Sequence, residues 1–492
     1  MPSRVPAPRP TLLALACLLA SAAMPAVATP ATPATAATTA VSAAASLDAQ
    51  TMEGARRLVA AAGSDTGAYG IVESLTTEVG PRMAGSPAFD RAVAWAQARF
   101  KSLGYDRVLL EPVTFPQWQR GHESAEVLSP FPQRLVLTTL GGSPGTGGKP
   151  LDADVVEFAT LDALKAAPAG SLAGKIAYIS NRMERFRDGH GYGPAVAARS
   201  AGGEAAAKGA VALLIRSIGT DHDRMPHTGM TRYPAGTTPI PAAALSNPDA
   251  DLLSNMVRRG NPVRVRLDID AGFTGKSVTT WNVIGELRGR GKLADEAVVI
   301  GGHLDSWDLG TGAIDDGAGV AITMAAGALI AKNGKRPLRT IRVVAFANEE
   351  QGLHGGRAYA ETHKAGLDAQ QLGAESDFGG GRVYRFSASV APQARPVVDQ
   401  IGALLAPLGI EYAVDAGGPG PDIGPFAKLG MPWAQLAQDG TDYFDYHHTA
   451  NDTLDKLDAK ALDQQAAAYA AMAYAAANSP VDFGRNEKVG SE

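Results

Sequence analysis

Residues 297–318 read AVVIGGHLDSWDLGTGAIDDGA. The first four, Ala297-Val298-Val299-Ile300, are apolar and mostly β-branched, and Gly301-Gly302 closes them. That pattern predicts a buried strand. His303 and Asp305 follow at once, then a glycine-rich loop, then the paired acids Asp315 and Asp316. Residues 317–331 are small and apolar, which predicts a packed helix. Sites in open α/β sheets form where strands end and loops begin. One imidazole and three carboxylates delivered to such a place point to a hard or borderline metal such as zinc.

Working outward, the chain beyond residue 279 alternates strands and helices. Strands are predicted at 281–287, at 297–300 and at 340–347, and a last alanine-rich helix at 459–477. Such alternation implies a mostly parallel sheet covered by helices. Upstream, helical spacing appears at 47–63, 71–75 and 90–103, the last with Ala92, Val93, Ala96, Phe100 and Leu103 inside. The intervening GPRMAGSPAFD reads as a turn, and 107–112 as a strand. Between about 121 and 272 the texture changes. Short strands at 134–138, 175–179, 210–215 and 263–269 alternate with Gly/Pro-rich loops, and helices fall at 197–208 and 248–258. This reads as an inserted domain.

The 492 residues suffice for two or three domains. A net charge of −5 gives no reason to expect nucleic acid as a partner. At the N-terminus, Arg4 and Arg9 precede the apolar run 12–23, and Ala26-Val27-Ala28 fits a cleavage site. This predicts a signal peptide over 1–28, too short in its apolar core to span a bilayer, and hence a secreted or periplasmic protein. The single cysteine, Cys17, leaves with it, so no disulfide is expected. Residues 29–46 are an Ala/Thr/Pro low-complexity leader. The resulting division is 47–120 for the first part of the catalytic domain, 121–272 for the insert, 273–480 for the catalytic remainder and 481–492 for a tail.

Four later segments join the His303 loop. The strand 340–347 runs into Asn348-Glu349-Glu350, Glu375-Ser376-Asp377 precedes a glycine-rich turn, Asp422 opens a short helix, and Tyr446-His447-His448 is followed by Asp452. Five of these side chains fit two ions sharing a carboxylate: His303 and Asp377 on one, Glu350 and His448 on the other, Asp315 between. Two ions about 3.5–4 Å apart lower the pKa of a shared water and polarise a carbonyl. Glu349 is then the general base, and Asp305 orients His303 through the ring nitrogen not on metal. Each residue alone is an ordinary cap or turn residue. Their arrival at successive strand ends is what carries the reading. Competing sites fail: there is no HExxH and no phosphate-binding loop. Gly141-Gly142-Ser143-Pro144-Gly145 matches GxSxG without a strand before it or a helix after it. Asp221-His222-Asp223 and His227 read as a rim of the cleft.

At these residues the chain resembles the co-catalytic di-zinc exopeptidases, a family that includes bacterial double-zinc aminopeptidases, and within it the plasma glutamate carboxypeptidase (carboxypeptidase Q) branch. GGHLDSWDLGTGAIDDGAG, ANEEQG, ESDFG, DIGPF and the doubled histidine before Asp-Thr carry the resemblance, as do LIRSIGTDHDRMPHTGMTRY and IPAAALS in the insert. It implies an α/β, phosphorylase/hydrolase-like fold with a protease-associated-type β/α insert covering the cleft. It further implies two Zn2+ per chain, a peptide substrate, a homodimer and a cis Asp315–Asp316 peptide. It selects His448 over His447 as the ligand. It places His447 where many relatives carry the tyrosine that stabilises the oxyanion. The implied activity is hydrolysis of dipeptides or of short peptides from one end. Two alternatives remain: a peptidase fold that only binds, and a single-zinc acyltransferase like glutaminyl cyclase. Asp422 or the loop near Asp442 is the expected contact for a substrate amine.

Overall fold

In the computed structural model the Ala297–His303 strand is buried at all seven positions. It lies between two parallel neighbours, Thr340–Phe346 and Gln370–Glu375. A strand buried on both faces must be apolar throughout rather than alternating, which is why its first four residues read as a continuous run. Each fully buried Val or Ile there contributes roughly 1.5–3 kcal/mol. The structure describes residues 46–486 apart from 334 and 415. The predicted signal peptide, almost all of the predicted leader and the end of the tail lie outside the described residues.

The helix Ala318–Lys332 packs on these strands through small residues. A Cβ on Gly319 would lie 1.8 Å from the Ser376 carbonyl oxygen, and one on Gly327 would lie 2.0 Å from the Tyr105 hydroxyl. Only glycine allows that approach. Residues 313–332 are also the one described stretch long and apolar enough to cross a membrane, and 94% of it is buried inside the fold. The last helix, Ala459–Asn478, is capped by Asp458, whose side chain accepts the Ala461 N–H at 2.8 Å, and packs across the Ala318–Lys332 helix. The early helices Ala49–Ala60, Ala68–Glu78 and Pro87–Ser102 form where the spacing predicts them.

The strand predicted at 107–112 continues to Ser129. It pairs antiparallel with Arg264–Leu287 along almost its whole length. Pro112 and Pro116 look like terminators in sequence. Register shifts between Pro116 and Trp118, and again between Arg120 and Glu123, let the ribbon continue past them. The ribbon crosses both proposed insert boundaries, and the described residues form one compact unit. The 281–287 segment is the end of this ribbon and runs antiparallel to Thr340–Phe346, so that edge of the sheet is mixed.

Leu151–Phe158, Ile176–Ile179, Ala212–Arg216 and Ala242–Leu245 follow as parallel neighbours, and Leu137–Thr139 closes the edge. The strands at 151–158 and 242–245 were not evident in the sequence: the second is Ala-Ala-Ala-Leu, a composition with little β preference. The predicted helix 197–208 divides into a 3-10 turn, Ala197–Ser200, and a helix, Gly202–Ala207.

Candidate metal centre

Three adjacent parallel strands end at the same level, because Phe346 pairs with His303 and Glu375 with Gly301. His303, Glu349-Glu350 and Asp377 therefore leave the sheet together, at the carboxyl edge where such sheets place their sites. The irregular turn Ala313–Gly317 brings in Asp315, and its Asp315–Asp316 peptide is cis, as the resemblance implies. The short helix Tyr443–Tyr446 delivers His447 and His448 from the opposite side.

All five predicted ligands converge. Asp315 Oδ1 lies 3.0 Å from His303 Nε2. Its other oxygen lies 3.1 Å from His448 Nε2. Asp377 Oδ1 is 3.7 Å from His303 Nε2, and Glu350 Oε2 is 2.9 Å from His448 Nε2. Asp315 thus turns one oxygen to each half of the set. Asp315 Oδ2 and Glu350 Oε1 are buried and make no hydrogen bond. Buried carboxylate oxygens left without a hydrogen bond among imidazole nitrogens call for a cation, and the nitrogen and oxygen donors suit zinc.

The charges agree with this. Burial works against the protonated rings, yet the surrounding carboxylates outweigh it. Asp305, Asp315 and Asp377 hold His303 well above its usual range, and Glu350 and Asp315 push His448 up to about 9. Burial pushes Glu350 up to about 7. Burial also pushes Glu349 well above the ordinary carboxyl range, with the Asp377 and Glu350 charges adding to it. His447 is moved the other way, by burial and by the charge of His448, whose ring it stacks on at 3.5 Å. His447 Nε2 lies 3.6 Å from Asp315 Oδ2, and its Nδ1 makes no hydrogen bond.

Asp305 does more than sequence reasoning gave it. His303 Nδ1 faces the Asp305 backbone carbonyl at 3.0 Å, nearer than the Asp305 side chain at 3.7 Å. The Asp305 carboxylate instead accepts the backbone N–H of Glu349 at 3.1 Å and of Glu350 at 3.4 Å. One residue so orients the imidazole through its backbone and both glutamates through its side chain. Asn348, just before the two glutamates, and the candidate ligand His448 have φ of 56° and 62°. Non-glycine residues rarely adopt such values, and surrounding contacts must hold them.

Several supports were not identified in the sequence. Arg82, within the predicted turn, is fully buried and donates to the carbonyls of Leu304, Thr311 and Gly312 at 2.5, 2.7 and 2.8 Å. An arginine between proline and methionine in a turn reads as solvated, and nothing local distinguishes it. Asp452 accepts the N–H groups of Ile314 and Asp315. Of the residues read as a rim, Asp221 and His227 are buried braces, while His222 and Asp223 are exposed. His227 places one ring nitrogen 2.7 Å from Asp221 Oδ1 and the other 2.8 Å from the His447 carbonyl. Thr228 donates its N–H to the His448 carbonyl at 3.0 Å. Neither Asp422 nor Asp442 borders the ligand cavity. Asp422 is buried and accepts the Gly356 N–H at 2.9 Å, while Asp442 pairs with Arg185 at 2.8 Å.

Residues 282–473 match the model of peptidase family M28. Carboxypeptidase Q of Bos taurus is 36% identical over 405 residues, 82% of this chain and 84% of that one. The crystal structure of a peptidase M28 precursor from Shewanella amazonensis superposes with a TM-score of 0.86 at 51% identity, covering 89% of this chain and 99% of that one. A zinc aminopeptidase from Bacillus subtilis shares the fold at 20% identity, with a TM-score of 0.62 over 86% of this chain and 98% of that one.

Proposed function

The chain belongs to peptidase family M28 and is a metallo-exopeptidase, and from that premise we propose that it is an exported, two-zinc enzyme that hydrolyses dipeptides or short peptides. The observation that carries this is Asp315, whose two oxygens face His303 and His448 at 3.0 and 3.1 Å. In this reading His303 and Asp377 hold one ion, Glu350 and His448 the other, and Asp315 both. When bound, two zinc ions supply Lewis acidity to the scissile carbonyl and to water.

The chain's own residues do the rest. Glu349 has its backbone fixed by Asp305, and its carboxylate takes the water's proton and returns it to the leaving amine. Its high proton affinity suits a group that must hold a proton between those two events. His447, neutral through burial, donates one ring N–H to the developing oxyanion. We read 121–272 as a protease-associated-type insert that roofs the cleft, and the active form as a homodimer.

Zinc analysis together with hydrolysis of unblocked dipeptides tests this. Glu349→Gln is expected to keep its metal and to lose about 10²–10⁴-fold in kcat. Unchanged kcat would remove the proposed base. One ion per fully active chain would favour the acyltransferase alternative. A purely binding role is disfavoured because all five ligand positions are filled.

A further inference from the structure

We propose that Arg199, in the roof of the cleft, receives the free C-terminal carboxylate of the substrate and so sets the site for dipeptides; the proposal rests on the peptidase reading above. The cavity bordered by Asp315, Glu350, Asp377 and His448 has a volume of about 480 Å³, and Tyr192, Arg199 and Arg232 also line it. Arg199 is only 3% exposed. Its Nη1 donates to the Tyr192 hydroxyl at 2.7 Å. Its Nε and Nη2 are buried and make no hydrogen bond. It forms no ion pair among the described residues, although the floor below it is rich in acids.

The side chain is held in place. A Cβ on Gly229 would lie 2.4 Å from the Arg199 guanidinium carbon, so the group occupies space that only glycine leaves. The Arg199 carbonyl accepts the Thr231 hydroxyl at 2.5 Å. Tyr192, its one hydrogen-bonded side-chain partner, meets the His447 ring edge-on at 5.7 Å. A fixed planar fork with two idle N–H groups matches a carboxylate bidentately. Leaving a buried charged donor unmet is costly, and a ligand that answers it recovers that cost.

Length selection follows from reach. In a dipeptide the carboxylate belongs to the same residue as the scissile nitrogen, with only the Cα between them. Each added residue moves it about 3.3–3.6 Å further, past a guanidinium that cannot follow.

The test compares the zinc-loaded full chain on a free dipeptide, its C-terminal amide and the tripeptide extended by one residue. The parent is expected to prefer the free dipeptide by roughly ten- to a hundredfold in kcat/KM. Arg199→Met is expected to remove that preference by lowering the dipeptide value alone, and Arg199→Lys to retain part of it. Calorimetric titration of Glu349→Gln with the dipeptide and its amide gives a second readout that needs no turnover. Equal rates on all three substrates by the parent would overturn the proposal, as would an equal loss on dipeptide and amide in Arg199→Met. If the loaded parent cleaves no peptide, the peptidase reading fails instead. The titration then still decides: tighter binding of the free carboxylate supports Arg199 as its receptor, and equal binding overturns it.

Discussion

Asp452 accepts the backbone N–H of Asp315 at 3.2 Å and that of Ile314 at 2.6 Å. A carboxylate 137 positions away in sequence thus fixes the turn that presents the shared ligand. Asp452→Asn keeps one acceptor where two N–H groups need answering. It is expected to lower zinc affinity about 10–100-fold, as loss of a supporting group around a metal does. Competition with a chromophoric chelator measures it. An unchanged affinity would mean the turn holds its shape without Asp452.

Arg82 donates to three carbonyls, and its buried charge is favoured by Asp452, Asp305, Asp316 and Asp315. Arg82→Met is expected to destabilise the metal-free chain by about 3–5 kcal/mol, read from the urea midpoint. Zinc loading is expected to restore part of the loss, because bound cations then offset the same carboxylates. A substitution costing under 1 kcal/mol would remove Arg82 from the supports of the site.

His227 braces the doubled histidine from across the cleft. His227→Ala leaves the His447 carbonyl without its buried partner and frees the backbone at His448, whose φ is 62°. Weaker zinc binding by about tenfold is expected, with the ion held by Glu350 and His448 released first. Titrating the metal stepwise separates the two ions. Simultaneous loss of both would contradict the assignment of His448 to one of them.

Metal uptake should depend on pH in a stated direction. The metal-free chain holds a proton on His448 up to about pH 9 and on Glu350 up to about 7. Zinc must displace these protons and the one held on His303, so its apparent affinity is expected to rise by at least about tenfold per pH unit from 7 to 9, and more steeply below 7. Stability of the metal-free chain runs the other way. The folded values of His448 and Glu350 exceed the ordinary 6.5 and 4.5. Their contribution is therefore full below those ordinary values and lost as pH rises through about 7 and 9. Melting curves with a chelator at pH 6 and 8.5 check the sign, and a higher melting point at 8.5 would refute it.

What the sequence made legible follows physical range. The run 297–300, the helix starting near Ala318 and the ligands at strand ends depend on local pattern, so they could be read directly. The remaining supports depend on distant partners. Arg82 and Asp452 act on residues more than a hundred positions away, and His227 meets the His447 carbonyl 220 positions further on. The Ala242–Leu245 strand has no β preference of its own and exists because a buried slot beside Ala212–Arg216 requires backbone pairing.

The Arg107–Ser129 and Arg264–Leu287 strands stay paired with one another on either side of residues 130–263. Both ends of that segment are therefore tied to one hydrogen-bonded ribbon, bent at its register shifts. A displacement of either strand is felt by the other, so the two ends of the segment travel together.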